Sequence, residues 1–168
     1  MIKIRKVKLG DEIGISKMVK AGLNKNTWAY TGTNKYTKKK LENLRRSLSE
    51  KNSTSKNFVA VDSQTNMIVG SASYLFNISG RIRHRVDMGW GVHPDYAGQG
   101  IGTKLLNFAL NDAKKRGFKR AEAEIAIKNV SSWKMALKCG FKIEGTKKKA
   151  LLIDDGKYID TYIVGKLL

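Results

Sequence analysis

One cysteine, one proline and two histidines are all that 168 residues contain of these types, and acidic side chains are outnumbered 14 to 33 by lysine and arginine. The lone Cys139 cannot form an internal disulfide, which fits a reducing compartment. With Pro94 the only proline, there is no Pro-rich linker, and no Gly/Ser-rich stretch, heptad run or internal repeat breaks the chain. One domain over residues 1–168 is therefore expected. No apolar run approaches the roughly 20 residues that cross a bilayer. The opening MIKIRKVKLGDE carries no apolar segment behind its basic residues, so a cytoplasmic protein with no membrane partner is expected. A hydrophobic share of 41% with 28% charged residues lies far from the composition of disorder and predicts a folded core.

The formal net charge of +19 attracts polyanions and repels polycations. Nucleic acid, a ribosome surface, an acidic protein and a phosphate-bearing cofactor all answer to that sign, as does a merely lysine-rich solvated surface.

Ile2-Lys3-Ile4-Arg5 alternates like a strand, and Asp11 stands where an N-cap would, ahead of Ile13, Ile15, Met18, Val19 and Leu23. Leu41, Leu44 and Leu48 give residues 38–50 an amphipathic helical pattern. Residues 58–61 and 68–75 read as a hairpin split by the turn-rich Asp62-Ser63-Gln64-Thr65-Asn66. A strand from Val86 to Val92 runs into a glycine-rich loop, and Ile101, Leu105, Leu106, Ala109, Leu110 and Ala113 then make one face of a helix closed by Gly117. Residues 121–127 read as a strand, 129–139 as a short helix ended at Gly140, and 141–146 with 158–165 as a final strand pair. The order predicts a mixed α/β sheet.

Gly98-Gln99-Gly100-Ile101-Gly102-Thr103 lies between the apolar strand and the amphipathic helix. Glycines there let backbone approach a ligand, and the first helical N–H groups with the positive dipole end make an anion site. A turn that needs glycine at a helix start is the plain structural alternative. No Gly-Lys-Ser/Thr follows, so this is no P-loop. The dinucleotide fingerprint fits poorly, since Glu122 and Glu124 fall within a strand.

The run from Trp90 through Val92, His93, Pro94 and the Gly98–Thr103 loop resembles the acetyl-CoA segment of the GNAT acyl-CoA N-acyltransferases. Asn129 to Phe141, an Asn opening a helix that ends in Gly140-Phe141, resembles that family's second segment. Within the family the continuation Lys142-Ile143-Glu144-Gly145-Thr146, with Asp155-Gly156-Lys157-Tyr158 and Asp160, is most similar to the ribosomal-protein and diamine N-acetyltransferases. The resemblance implies a GNAT-type fold, a mixed and mostly antiparallel central sheet flanked by helices. It implies an enzyme that moves an acetyl group from acetyl-CoA to a primary amine by direct attack, with no metal. The acceptor is a protein or small molecule, a protein N-terminus among the candidates, and a ribosomal or other acidic partner and a homodimer stay open.

Carried over by position, the backbone of Trp90, Gly91 and Val92 would pair with the pantetheine arm, and the amides of Gln99, Gly100, Ile101, Gly102 and Thr103 beyond Gly98 would hold the pyrophosphate. Asn129 would bond the pantetheine chain, or serve only as a helix N-cap. Ala97 replaces the family's Arg or Gln, Ala136 replaces a frequent proton-donating Tyr, and Leu151 lies near where some relatives have a Glu. Ser132 matches a serine given the Tyr's role in the ribosomal-protein subgroup. Asp87 matches an acidic position that serves as base or water-holder, with a salt-bridged strand residue as its alternative; Glu122 and Glu124 are second candidates on one strand face. His84 and His93 titrate in the right range but show no partner in sequence, and Cys139 reads as a packed residue. Trp28, Tyr30 and Tyr36 stand where the acceptor site is shaped or anchor a loop, and Lys38-Lys39-Lys40 reads as a solvated face. Two rival readings stand beside the enzyme: a basic nucleic-acid- or ribosome-binding module, and a CoA-binding sensor that has lost catalysis.

Overall fold

The computed structural model describes residues 1–23, 42–46, 53–153 and 156–168. Strands β1 (Ile2–Lys6), β2 (Ser55–Asp62), β3 (Ile68–Phe76), β4 (Arg85–Val92), β5 (Arg120–Ala126), β6 (Lys142–Leu152) and β7 (Tyr158–Leu167) form one sheet. Its order is β1-β2-β3-β4-β5-β7-β6, and all neighbours are antiparallel except β4 and β5. Helices α1 (Asp11–Leu23), α2 (Ile101–Lys115) and α3 (Val130–Lys138) flank it, and residues 42–46 are helical. This is the mixed sheet that the element order predicts, and mostly antiparallel as the family resemblance implies. The rest of the helix expected over 38–50, together with Trp28, Tyr30, Tyr36, the 38–40 lysines and Asp155, lies outside the described residues. No described helix is long and apolar enough to cross a membrane.

Strand alternation sorts the core onto two faces. Phe58, Ala60, Ala72, Tyr74, Val86 and Met88 meet the buried stripe of α2, which is Ile101, Leu105, Leu106, Ala109, Leu110 and Ala113 as the periodicity predicts. On the other face Val59, Val61 and Ile68 meet Ile15 and Met18 of α1, with Leu44 packed alongside. Tyr74 is fully buried, and its hydroxyl donates to Asp112 Oδ2 at 2.6 Å. Burial opposes charge on Asp112, yet hydrogen bonds from Tyr74 and Arg116 outweigh it and hold that carboxyl below the usual range.

Two elements differ from the sequence reading. Asp11 does not cap forward; its carboxylate takes both arms of Arg5, at 2.6 and 2.9 Å, and the Lys8 N–H at 2.8 Å, tying β1 to the start of α1. Burial works against its charge, but those bonds prevail and lower its pKa. The second difference is β6, which continues past Thr146 to Leu152 as an edge strand exposed along nearly all its length. The lysines at 147–149 hide it, because an edge strand wetted on both faces has no apolar alternation to read.

Candidate active site

The parallel pair β4 and β5 stays in register only at Arg85↔Arg120, Val86↔Ala121 and Asp87↔Glu122. Beyond Asp87, β4 remains paired with β3 up to Gly70↔Val92, while β5 continues along β7 to Ala126↔Thr161. The sheet therefore opens into a gap between Met88–Val92 and Ala123–Ala126. His93 N–H donates to Val69 O on β3 at 2.8 Å. Because successive residues of a strand point their peptide groups to opposite sides, those of Trp90 and Val92 turn away from β3 and into the gap. Among the described residues they form a short free edge that an extended, amide-bearing chain can pair with.

At the end of β4 a 3-10 turn over Pro94–Tyr96 leads to the glycine loop, and the turn is capped by His93, whose Nδ1 accepts from Asp95 N–H at 3.3 Å. Tyr96 braces it by donating to Asp62 Oδ2 at 3.1 Å. Gly98 and Gly100 hold φ of 79° and 74°, the left-handed region where other residues are strained. Among the described residues nothing lies within 4 Å of where their Cβ atoms would stand, so the loop is open there as well as left-handed. Gly100 is the N-cap of α2 and makes no side-chain cap bond, which leaves the first amides of the helix for a ligand. Gly102 is there for space: a Cβ would come to 2.7 Å from Met135 Sδ and 3.3 Å from Val92 Cγ2. Ala97, exposed at the end of the turn, offers no side-chain contact to an anion.

Helix α3 borders the same gap. Asn129 Oδ1 caps it by accepting from Ser132 N–H at 3.3 Å, so the N-cap reading of Asn129 is observed. Ala136 is fully buried and has no donor. Ser132, one turn earlier, accepts a hydrogen bond from the indole Nε1 of Trp90 at 3.0 Å. Trp133 Nε1 donates to Ile127 O at 3.0 Å, fixing α3 to the end of β5.

The three candidate carboxylates share the opposite face of the sheet, the side on which α1 lies. Glu122 is committed to Arg85 at 3.0 Å and Arg120 at 2.5 Å. Glu124 accepts from the buried Thr161 hydroxyl at 2.6 Å and pairs with Lys147 at 2.7 Å. Asp87 is exposed and has no ion pair or hydrogen-bond partner among the described residues. His84 Nδ1 sits 3.0 Å from Arg81 O, and Lys166 donates to Cys139 O at 2.5 Å. Burial pushes the Cys139 thiol up, which keeps it protonated and unsuited to attack.

The sequence-predicted residues are thus brought to one gap from several elements: Trp90, Gly91 and Val92 on one wall, the 98–103 loop at its end, Asn129 and Ser132 on α3, and Asp87 at its base. Sequence reasoning missed the Trp90–Ser132 contact, which joins residues 42 apart, and the Thr161–Glu124 bond, which joins residues 37 apart. Neither leaves a local pattern, because each is made by the fold.

The model of the "Acetyltransferase (GNAT) family" matches residues 23–141. An uncharacterized N-acetyltransferase of Methanocaldococcus jannaschii is 39% identical over 51 residues, which is 30% of this chain and only 23% of that protein's length. The acetyltransferase of the GNAT family from Streptococcus pneumoniae superposes with a TM-score of 0.88 at 22% identity, over 100% of both chains. The ribosomal-protein-alanine N-acetyltransferase from Brucella melitensis does so with a TM-score of 0.85 at 26% identity, over 99% of each chain.

Proposed function

The chain belongs to the acetyltransferase (GNAT) family, and on that premise we propose that it transfers the acetyl group of acetyl-CoA to a primary amine at the gap between β4 and β5. The observation that carries this reading is the conjunction of a free β4 edge at Trp90 and Val92 with uncapped amides at the start of α2. An extended pantetheine arm, which carries amides, matches the first, and a pyrophosphate matches the second. Asn129 keeps its amide NH₂ for the same arm while its oxygen caps α3.

In the proposed reaction the amine nitrogen bonds to the thioester carbonyl carbon, the carbon–sulfur bond breaks, and the amine loses one proton as the sulfur gains one. Asp87 takes the amine proton, directly or through a water. Of the three candidate carboxylates it is the one without a partner among the described residues, since Glu122 and Glu124 are held by cations and a hydroxyl. Ser132 lies on the α3 side, so base and sulfur donor approach the gap from opposite faces of the sheet, and one group need not serve both proton transfers.

A protein N-terminus is the acceptor that suits this site. An α-amino group of pKa about 8 costs about 1.4 kcal/mol to neutralise at pH 7, whereas a lysine costs about 4.6 kcal/mol. A single, solvated carboxylate such as Asp87 suffices for the first. The net charge of +19 slows the approach of polyamines, and the Brucella relative is by name an acetyltransferase of a ribosomal protein's alanine. The test sets peptides with free α-amino termini against spermidine and free lysine, with acetyl-CoA present, and reads acetylated product by mass spectrometry. Product from the peptides alone supports the reading; product from spermidine alone contradicts the acceptor.

A further inference from the structure

The bond between Trp90 Nε1 and Ser132 Oγ, 3.0 Å long, has a fixed direction. An indole N–H donates and cannot accept, so the serine oxygen is the acceptor, and its own hydrogen must go elsewhere. A helical serine commonly gives that hydrogen to a carbonyl of the preceding turn. Here, among the described residues, no acceptor takes it. Ser132 is therefore a hydroxyl whose lone pair is claimed and whose O–H is uncommitted, at the end of α3 that borders the gap.

Trp90 is well placed to hold it. Its backbone lies opposite Ala72 in the β3–β4 register, and its ring rests on Phe141 with centroids 6.2 Å apart. Ser132 is fixed from its other side by the Asn129 cap on its N–H. A hydroxyl left alone rotates among staggered positions, and a fixed donor on one lone pair removes much of that freedom. Ala136, fully buried one turn on, offers no competing donor.

We infer that Trp90 is a positioning residue that, through its indole N–H, orients the Ser132 hydroxyl to donate toward the sulfur departing in the gap. This rests on the reading of Ser132 as the sulfur's donor. Trp90→Phe keeps the ring and the strand but removes the N–H. It should lower kcat about threefold to tenfold, the worth of one ordinary hydrogen bond, with the acetyl-CoA dissociation constant unchanged. Ser132→Ala should lower kcat further, and the double variant should be no slower than Ser132→Ala alone. Without any ligand, the indole ¹H–¹⁵N resonance of Trp90, assigned by triple-resonance spectroscopy, should shift and exchange faster in Ser132→Ala.

If Ser132→Ala slows turnover while Trp90→Phe keeps the wild-type rate, the positioning role is overturned and the Ser132 reading stands. A double variant slowed by the product of the two single effects also overturns it, since Trp90 then acts apart from Ser132. A wild-type rate in Ser132→Ala removes the Ser132 reading, and this inference with it. The resonance test needs only Ser132→Ala and the wild type, so an unmoved indole signal overturns the inference even if Trp90→Phe does not fold.

Discussion

Replacing Gly100 with valine isolates the contribution of the loop before α2. Among the described residues nothing lies within 4 Å of the Cβ position at Gly100, so an added Cβ meets no atom there. What changes is the backbone, held at φ 74°. An L-residue there costs about 1–2 kcal/mol, and branching at Cβ adds to it. The chain can relieve the strain by rotating position 100 out of the left-handed region, which swings the amides of Ile101 and Gly102 away from one another. Loss of two hydrogen bonds to a charged phosphate, at about 1.5–3 kcal/mol each, lowers affinity roughly 10²- to 10⁴-fold. Calorimetric titration with acetyl-CoA reads this, and thermal unfolding reads the fold, which should survive with a melting temperature lower by about 2–8 °C. Gly100→Ala, with less strain, should fall between wild type and valine. A valine variant that binds acetyl-CoA as tightly as wild type would refute the placement of the pyrophosphate.

Asp87→Asn should lower kcat about 10²- to 10⁴-fold at neutral pH and leave acetyl-CoA binding intact, as single-turnover kinetics and calorimetry together would show. Acetyl-CoA binding should weaken as salt is raised, because a polyphosphate meets a chain of net charge +19, but with a shallower slope than duplex DNA would give. Tyr74→Phe removes the 2.6 Å bond to Asp112 and should cost about 1.5–3 kcal/mol, seen in urea unfolding. The folded Asp112 carboxyl titrates below its unfolded value, so its stabilisation is full above the ordinary carboxylate range and is lost as pH falls through the folded value. The variant, with that depression reduced, should lose less stability than wild type on acidification.

Elements with strong periodicity were legible in the chain. The buried stripe of α2 contains every apolar residue of its i, i+3, i+4 pattern, with Gly102 buried beside them, and the β2–β3 hairpin is announced by its turn, where Asn66 takes a φ of 55° and Asp62 accepts from Gln64 N–H at 3.0 Å. The loop was legible through its glycines, and the turn that needs them was foreseen, but not the division between conformation at Gly98 and Gly100 and close packing at Gly102. The sequence places Asp87 ahead of Glu122 and Glu124 by resemblance, but what holds the two glutamates was not legible, because Arg85, Arg120, Lys147 and Thr161 meet them through the fold. The gap itself has no sequence signal. It arises because β5 follows β7 while β4 stays with β3, a property of register and not of any one residue.

The release of free thiol from acetyl-CoA, followed continuously with purified chain and a peptide bearing a free α-amino terminus, tests the central claim most directly. Thiol release should require both the amine and the chain, match the acetylated peptide formed, and collapse in Asp87→Asn. A chain that binds acetyl-CoA but releases no thiol with any amine would be a sensor, and the claim of acetyl transfer would be contradicted.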